Sequence, residues 1–426
     1  MRLRRPPLAV ITIVSALLVL LPAGLLLRFP RRSASGLDRL IPSAALLQSF
    51  RAQAADPVPA LWQQRLGVAE AQRLWPPQRG LWWQFWGAHG DAGAYLVLPA
   101  SRSQALPAQA VSVDDLLVLA PDPLARQLLV EQLKVRRRPP RGLSQRCSLS
   151  LQQAPTVFWN AAALGQMLGP LAPLAQELEQ GCLVLNGTGR TLRWQGEADA
   201  SEAPLAPAPP PLAMPVAAPL SGDQLLELQG KRFALLLSGP LESGLLRQVL
   251  AQTYGLGPEQ IRQLQALPFV LRLRSLPHGP FRAGLELELH PLAGRRQAAP
   301  ALRDWLVQLS RVLQDQGLTQ GAALPGMTAW SRDDGRLVGG WRWLADGRLL
   351  LFLGPLPMGG GAPQPALPEA DWRLRMQPQA VAAAGLLPDS LPQVVQRARQ
   401  LVLQGRARGA RSGERLSALS GELSLP

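Results

Sequence analysis

Lysine is almost missing from this sequence, which contains only Lys134 and Lys231 among its 44 basic residues. Proteins that bind nucleic acid usually cluster Lys and Arg on one face, whereas the arginines here are scattered singly along the chain. Charged residues make up 17% of the 426 residues, below the roughly 25% that is usual for soluble domains. Together with 47% hydrophobic residues, this composition excludes disorder over most of the length. The formal net charge of +15 indicates a composition bias as readily as a binding face. We expect no nucleic-acid partner, because the hydrophobic run near the N-terminus indicates an anchored, exported body without access to DNA.

Residues for catalysis and metal binding are scarce as well. The three histidines, His89, His278 and His290, each lie beside Gly or Pro in expected turns or strand ends, without the spacing of metal ligands. A G-x-S-x-G elbow is absent from the sequence, and an S-x-x-K motif has no lysine to complete it. We therefore expect a protein that is not an enzyme, with no catalytic residue, no cofactor site and no metal site.

Cysteine is limited to Cys147 and Cys182. In an oxidising compartment these two residues would form a disulfide. Two separate buried thiols fit the sequence equally well. No C-x-x-C motif or Cys/His grouping accompanies them, which argues against structural zinc.

One long hydrophobic run stands at the start of the chain. Residues 8–27 contain no charged side chain, and twenty residues are enough for a helix to cross the ~30 Å hydrocarbon core of a membrane. The run is longer than the apolar region of a cleavable signal peptide, and no small-x-small cleavage site follows it directly. We interpret residues 1–32 as an uncleaved signal anchor that forms one transmembrane helix. The rest of the chain is then expected on the extracytoplasmic side, periplasmic or lumenal.

Proline-rich stretches divide the remaining chain. Residues 33–59 mix Pro, Ala, Arg and Ser and are interpreted as a juxtamembrane linker. The density of proline over residues 201–221 favours an extended, semi-rigid linker. We therefore expect a first domain over residues 60–200 and a second domain over residues 222–426.

A pattern of strand, helix and hairpin occurs three times in these domains. The first copy has an expected strand at 155–159, a helix at 161–180, and strands at 182–185 and 191–197. The second has a strand at 232–237, helices at 242–253 and 258–266, and strands at 269–273 and 281–289. The third has a strand at 372–376, a helix at 391–400, and strands at 401–407 and 415–425. The closing strands alternate apolar and polar residues, which is typical of a sheet with one buried face. The expected fold class is α+β, with antiparallel sheets built from repeated β-α-β-β units after one N-terminal transmembrane helix.

The densest positive segment is the stretch from Lys134 to Arg141. Its basic residues are Lys134, Arg136, Arg137, Arg138 and Arg141. Such a segment attracts anionic lipid headgroups or an acidic polymer, at about 1 kcal/mol per charge near the surface. A solvated loop after a helix is the alternative interpretation.

Three segments are similar to those of membrane-anchored proteins of unknown function from cyanobacteria. They are the anchor at 8–27, the aromatic hairpin formed by 80–86 and 95–98, and residues 157–161. This resemblance implies an N-terminal anchor followed by repeated α+β segments in a large exported domain, and it supplies no catalytic residues. The expected function is that of a non-catalytic, single-pass membrane protein that binds a lipid, an envelope polymer or a protein partner. The alternative is an envelope hydrolase whose site is assembled only in three dimensions.

Overall fold

The structure is a computed structural model of the chain. It describes residues 34–53, 55–87, 93–100, 110–135, 138–168, 178–199, 212–215, 219–220, 222–234, 236, 244–278, 282–291, 298–321, 326–355, 370–388, 391–407 and 416–426. The expected anchor over residues 1–32 lies outside these ranges. Among the helices that are described, none has the length and apolar character needed to cross a membrane.

Helices and strands alternate along the chain. The helices are α1 (Leu37–Leu40), α2 (Ala60–Leu66), α3 (Val68–Leu74), α4 (Pro123–Lys134), α5 (Gly142–Gln153), α6 (Ala161–Leu168), α7 (Gly244–Tyr254), α8 (Pro258–Gln265), α9 (Ala298–Asp315), α10 (Pro378–Ala383) and α11 (Gln393–Gln396). The first nine strands are β1 (Ala44–Arg51), β2 (Leu81–Gly87), β3 (Tyr95–Pro99), β4 (Ala110–Val113), β5 (Leu116–Leu119), β6 (Thr156–Trp159), β7 (Gln180–Thr188), β8 (Thr191–Asp199) and β9 (Gln224–Gly230). The others are β10 (Phe269–Ser275), β11 (Ala283–Leu289), β12 (Thr319–Gly321), β13 (Met327–Ser331), β14 (Leu337–Trp343), β15 (Leu349–Leu353), β16 (Trp372–Met376), β17 (Gln400–Ala407) and β18 (Leu416–Ser424).

All the described strands belong to a single sheet of 18 strands. Its order is β4-β5-β3-β2-β1-β6-β7-β8-β18-β17-β16-β9-β10-β11-β15-β14-β13-β12, and every pairing is antiparallel. Helices pack against this sheet, so the expected α+β class with antiparallel strands is confirmed.

The two expected domains meet within this sheet. β8 belongs to the first and β18 to the second, and these strands pair along their length, from Thr191 opposite Ser424 to Asp199 opposite Leu416. The ranges 60–200 and 222–426 therefore contribute two halves of one sheet rather than two separate sheets.

The segment expected as a juxtamembrane linker differs from that expectation. Residues 33–59 contain α1, a 3-10 turn (Ile41–Ser43) and β1. β1 lies between β2 and β6 and pairs with both. The side chains of Leu40 and Leu47 are fully buried, which makes this segment part of the core of the first half.

The proline-rich segment over 201–221 is described at residues 212–215 and 219–220. Leu212 is buried there, and its carbonyl accepts a hydrogen bond from the Gln195 side chain on β8 (3.1 Å). The Ala213 carbonyl accepts from Gln404 on β17 (2.7 Å) and from Ser420 on β18 (3.2 Å). This part of the segment is therefore fixed across the centre of the sheet, where the two halves join.

The first half of the sheet is covered on both faces. On one face α2 and α3 enclose a group of rings in which Trp62 meets Trp75 and Trp82 edge-on, at centroid distances of 5.0 and 5.9 Å. On the opposite face α4 and α5 pack over Trp83 and Phe85. Side chains of adjacent residues on a strand point to opposite faces, which is why Trp82 and Trp83 belong to different cores.

The second half has its main apolar core on one face, under α8 and α9. Leu264 of α8 and Trp305 of α9 pack there with Phe269, Leu289 and Trp341 from the sheet. On the same sheet, rings lie directly over glycines of neighbouring strands. A Cβ added at Gly405 would stand 2.5 Å from the Trp372 ring, and one added at Gly421 would stand 2.5 Å from the Trp194 ring. Glycine is required at these two positions because the rings occupy the space of a side chain.

Three expected elements of the repeat are corrected by the structure. The strand expected at 232–237 is instead β9, about seven residues upstream. The helix expected at 391–400 is limited to α11, while α10 precedes it. Most of the segment between the strands expected at 182–185 and 191–197 is part of β7, and the hairpin turns at Gly189 and Arg190, since Thr188 pairs with Thr191.

Candidate functional site

A row of alternating charges crosses the face of the second half that is opposite α8 and α9. Backbone register places Arg375 of β16 opposite Glu227 of β9, Glu227 opposite Arg272 of β10, and Arg272 opposite Glu286 of β11. We call this group, with Glu288, Arg274 and Arg348, the charged network. Its central members are almost inaccessible to solvent, with Arg272 3% exposed and Glu288 1% exposed.

Arg272 is the centre of the charged network. Its Nη1 donates to Glu288 Oε1 (2.6 Å), and its Nε donates to Glu227 Oε2 (3.2 Å). The other oxygens of these carboxylates are also paired: Arg348 Nη1 donates to Glu288 Oε2 (2.8 Å), and Arg375 Nε donates to Glu227 Oε1 (3.0 Å). Burial by itself lowers the pKa of Arg272, but the carboxylates of Glu288 and Glu227 outweigh it and raise that pKa.

Two glutamates of the charged network have opposite pKa shifts. Burial raises the pKa of Glu286, and the pairing with Arg274 (2.9 Å) offsets this only in part. Burial also acts to raise the pKa of Glu288, but His290, whose Nε2 lies 3.7 Å away, and the guanidinium groups of Arg272 and Arg348 bring it down to about 2. A pair of carboxyls with separated pKa values is a feature of acid–base catalysts. Here, however, guanidinium groups occupy both carboxylates.

The pKa of Glu288 predicts a loss of stability in acid. A folded-state pKa of about 2, against about 4.3 in the unfolded chain, means that the ionised carboxylate stabilises the fold above pH 4. This contribution, about 3 kcal/mol, is lost as the pH falls from about 4 to about 2. Urea unfolding followed by tryptophan fluorescence at pH 7, 4 and 2.5 measures it. We expect Glu288→Gln to be less stable than the parent at pH 7 and to lose less on acidification.

The matched control for this prediction is Glu286→Gln, two residues away on the same strand face. The raised pKa of Glu286 means that its ionised form opposes folding at neutral pH. Removing this carboxyl should therefore leave unchanged the stability that the protein loses when the pH falls. Equal losses of unfolding free energy on acidification in the two variants would contradict the assignment of the low pKa to Glu288.

A second feature of the same half is an apolar space, partly open to solvent, between α7, α8, α9 and the sheet. It is a cavity of about 140 Å³. Its walls include Phe233, Leu250, Ile261, Leu287, Trp305 and Leu351. The indole Nε1 of Trp305 is bonded to the Tyr254 carbonyl (3.1 Å), so the ring presents hydrocarbon. We call this space the α7 cavity.

The described basic residues expected to contact an anionic surface belong to the chain segments around the other half of the sheet. Lys134, at the end of α4, is exposed and bonded to Glu131 (2.6 Å). Arg138 and Arg141 are exposed in the connection to α5, whereas Arg136 and Arg137 lie outside the described residues. The described positions Lys134, Arg138 and Arg141 belong to neither the charged network nor the α7 cavity.

The cysteines come together in the first half. Cys147 of α5 and Cys182 of β7 form a disulfide with an S–S distance of 2.05 Å. Both side chains are buried, and beside them Arg146 of α5 is paired with Glu197 of β8 (2.9 Å). The bond therefore ties α5 to the sheet. In the described part of the chain, no group of His, Cys, Asp or Glu has an arrangement that would hold a metal ion.

Sequence reasoning did not find the charged network or the α7 cavity. The network had a visible signal, because Arg272 and Arg274 alternate on one strand while Glu286 and Glu288 alternate on the next. Pairing these strands in register would have placed opposite charges together. The cavity had no such signal, because its walls come from residues up to 118 positions apart, Phe233 and Leu351.

Comparison of the chain with protein-family models, with curated proteins and with solved structures finds no match. The class that the fold defines is that of an α+β protein with a large antiparallel sheet. The resemblance to cyanobacterial membrane-anchored proteins stays a prediction.

Proposed function

We propose that this chain is a non-catalytic, single-pass membrane protein whose folded part lies on the extracytoplasmic side and binds a lipid. The observation that carries the proposal is the α7 cavity, since a space walled by hydrocarbon side chains fits an apolar ligand and offers a polar substrate no partner. The uncharged run at 8–27 supplies the tether. A disulfide between Cys147 and Cys182 agrees with an oxidising compartment.

Binding is favoured over catalysis by the state of the ionisable side chains. A general acid or base needs a carboxyl that can reach a substrate proton. Both oxygens of Glu227 and of Glu288 are instead engaged by arginines. This argues for a structural role of the charged network, and against the alternative of an envelope hydrolase that uses these groups.

The basic segment supports an orientation near the membrane surface. Arg138 and Arg141 are exposed and would contact anionic headgroups together with the neighbouring Arg136 and Arg137. Lys134 contributes less, because Glu131 already neutralises it. Each exposed charge adds about 1 kcal/mol near an anionic surface, and salt screens this attraction.

Cell fractionation with protease protection tests the proposal. We expect the full chain to stay with membranes after an alkaline carbonate wash, and residues 34–426 to be digested only when protease is added from the extracytoplasmic side. A variant without residues 8–27 is the control and should be released. Mass spectrometry of the detergent-extracted protein should detect co-purifying lipid. Digestion from the cytoplasmic side alone would refute the orientation.

We further propose that twelve of the 18 described strands form four β-α-β-β units. The units are β1-α2-α3-β2-β3, β6-α6-β7-β8, β9-α7-α8-β10-β11 and β16-α10-α11-β17-β18. Three observations support this: each first strand pairs with its second, each second strand pairs with its third, and the first strands pair with one another as β1–β6 and β9–β16. Two pairs of units then meet at β8 and β18.

Cross-linking tests this meeting of the units. Gln195 and Ser420 lie directly opposite each other on β8 and β18. A variant with cysteine at both positions should form a second disulfide on mild oxidation, because opposed residues of antiparallel strands have Cβ atoms about 5 Å apart. The control pairs Gln195→Cys with Ser417→Cys, which is three residues out of register. Equal cross-linking of both variants, measured by mass spectrometry after proteolysis, would exclude the junction.

A further inference from the structure

Helix α7 is the least buried of the longer helices that the structure describes. None of its eleven residues is buried, although it carries four large apolar side chains. Leu245 is 78% exposed and Val249 is 48% exposed. By contrast, the twelve-residue α5 buries Leu143, Cys147 and Leu151. The hydrocarbon of α7 is thus divided between solvent and the cavity beneath it.

Leu250 connects these two environments. It follows Val249 on α7, and its side chain lines the α7 cavity. The floor of the cavity is Leu287 of β11 and Leu351 of β15, and Trp305 of α9 closes one side. Apolar residues therefore continue from the solvent-exposed side of α7 into the interior.

The size and chemistry of the cavity restrict its occupant. A bound water needs two to four polar partners, and an apolar cavity of about 150 Å³ stays dry and accepts a ligand the size of benzene. A space of about 140 Å³ has room for the end of one hydrocarbon chain and not for a headgroup. Arg247, one turn before Leu250 on α7, supplies a positive charge on the outside.

We infer that the α7 cavity binds the terminal segment of a single straight alkyl chain, which enters past Leu250 while its polar end remains in solvent beside α7. This inference rests on the proposed lipid-binding function and names its ligand and its site. The exposed ridge of Leu245 and Val249 then covers the part of the chain that the cavity does not hold. A free fatty acid and the acyl chain of a membrane phospholipid share this chemistry.

Quenching of Trp305 tests the inference and distinguishes the two sources. The probes are a fatty acid brominated near its methyl end, used below its critical micelle concentration, and vesicles of phosphatidylcholine with brominated chains. Saturable quenching that is lost in Trp305→Phe and kept in Trp343→Phe is the expected result. Quenching by the free acid identifies a free chain as the ligand, and quenching by vesicles alone identifies a membrane chain. No difference between the two variants with either probe would overturn the inference.

A filled cavity provides a second test that does not depend on tryptophan removal. Leu250→Trp places a ring in the cavity, whereas Val249→Trp places the same ring on the exposed side of α7. The loss of room for two or more methylenes should weaken binding of a fluorescent fatty acid at least about tenfold in Leu250→Trp, and by less than about twofold in Val249→Trp. Equal affinities in these two variants would count against the site. Circular dichroism establishes that both are folded.

The outcomes for the site and for the proposed function can be told apart. Absence of Trp305 quenching, with the chain still anchored in membranes, would remove the α7 cavity as a lipid site and leave the tether in place. Release of the full chain from membranes, with Trp305 still quenched by the free acid, would remove the tether and leave the site.

Discussion

Replacing Arg272 with methionine will destabilise the protein by about 3–5 kcal/mol, because the change leaves two buried carboxylates without their shared partner. Glu227 and Glu288 each retain one arginine, Arg375 and Arg348, but the charge between them is gone. The desolvation cost of these carboxylates is then no longer offset. Urea unfolding at pH 7, followed by tryptophan fluorescence, measures the loss as a fall in the midpoint at constant slope.

The control for this prediction is Arg274→Met on the same strand face. Arg274 is about one-fifth exposed and pairs with Glu286, whose pKa is already raised, so Glu286 can accept a proton when its partner is removed. The expected cost is about 1 kcal/mol or less. In the double variant Arg272→Met with Glu288→Leu, we expect part of the stability to return, because apolar packing replaces a broken ion pair. A cost for Arg272→Met no larger than for Arg274→Met would show that the network is not stabilised through Arg272.

Local patterns predicted those elements in which apolar residues recur with a clear period. β16 was expected at its observed bounds, and α7, α8 and β10 were expected within a few residues, because their apolar side chains recur with the period of a strand or of a helix. The strand expected at 232–237 failed for the opposite reason. Its apolar residues are continuous, and such short runs do not distinguish a strand from other buried structure.

β1 illustrates how a strand in the centre of a sheet loses the alternation of apolar and polar residues. It pairs with β2 on one side and β6 on the other, and cores cover both of its faces. Strands that are buried on both faces lose the alternation of apolar and polar residues. The segment AALLQSFR therefore resembled a continuation of the linker after the anchor, and only tertiary pairing identifies it as a strand.

Long-range pairing explains the remaining differences. β8 and β18 are joined by contacts between residues more than 200 positions apart, such as Thr191 and Ser424. No local period encodes such a contact. The sequence pattern therefore predicted two domains separated by the proline-rich segment, where the structure has one sheet. The α7 cavity is equally non-local. The ion pairs of Arg272, in contrast, follow from register once neighbouring strands are known.

Reduction of the Cys147–Cys182 disulfide is the second change with a large expected effect. The bond closes a loop with a sequence separation of 35, and constraining the unfolded chain by a loop of this length stabilises the fold by about 4 kcal/mol. We expect dithiothreitol to lower the free energy of unfolding of the parent by this amount, which appears as a lower urea midpoint. The double variant Cys147→Ala, Cys182→Ala should show the lower midpoint with or without reductant, and a reductant effect in that variant would point to a different cause.

The position of the disulfide links this loss to the compartment of the protein. Without the bond, α5 is held to the sheet by the ion pair of Arg146 with Glu197, by the hydrogen bond from Trp83 Nε1 to the Leu151 carbonyl (2.8 Å) and by apolar packing around Leu151. Domains are stable by only about 5–15 kcal/mol, so a loss of about 4 kcal/mol is a substantial part of the total. A reducing cytoplasm keeps the two thiols reduced, so the disulfide does not form there. Protein retained there should therefore be degraded faster than exported protein. A pulse-chase experiment on intact cells compares the half-life of the parent with that of the Cys147→Ala, Cys182→Ala variant. Equal half-lives are expected only if the disulfide never forms.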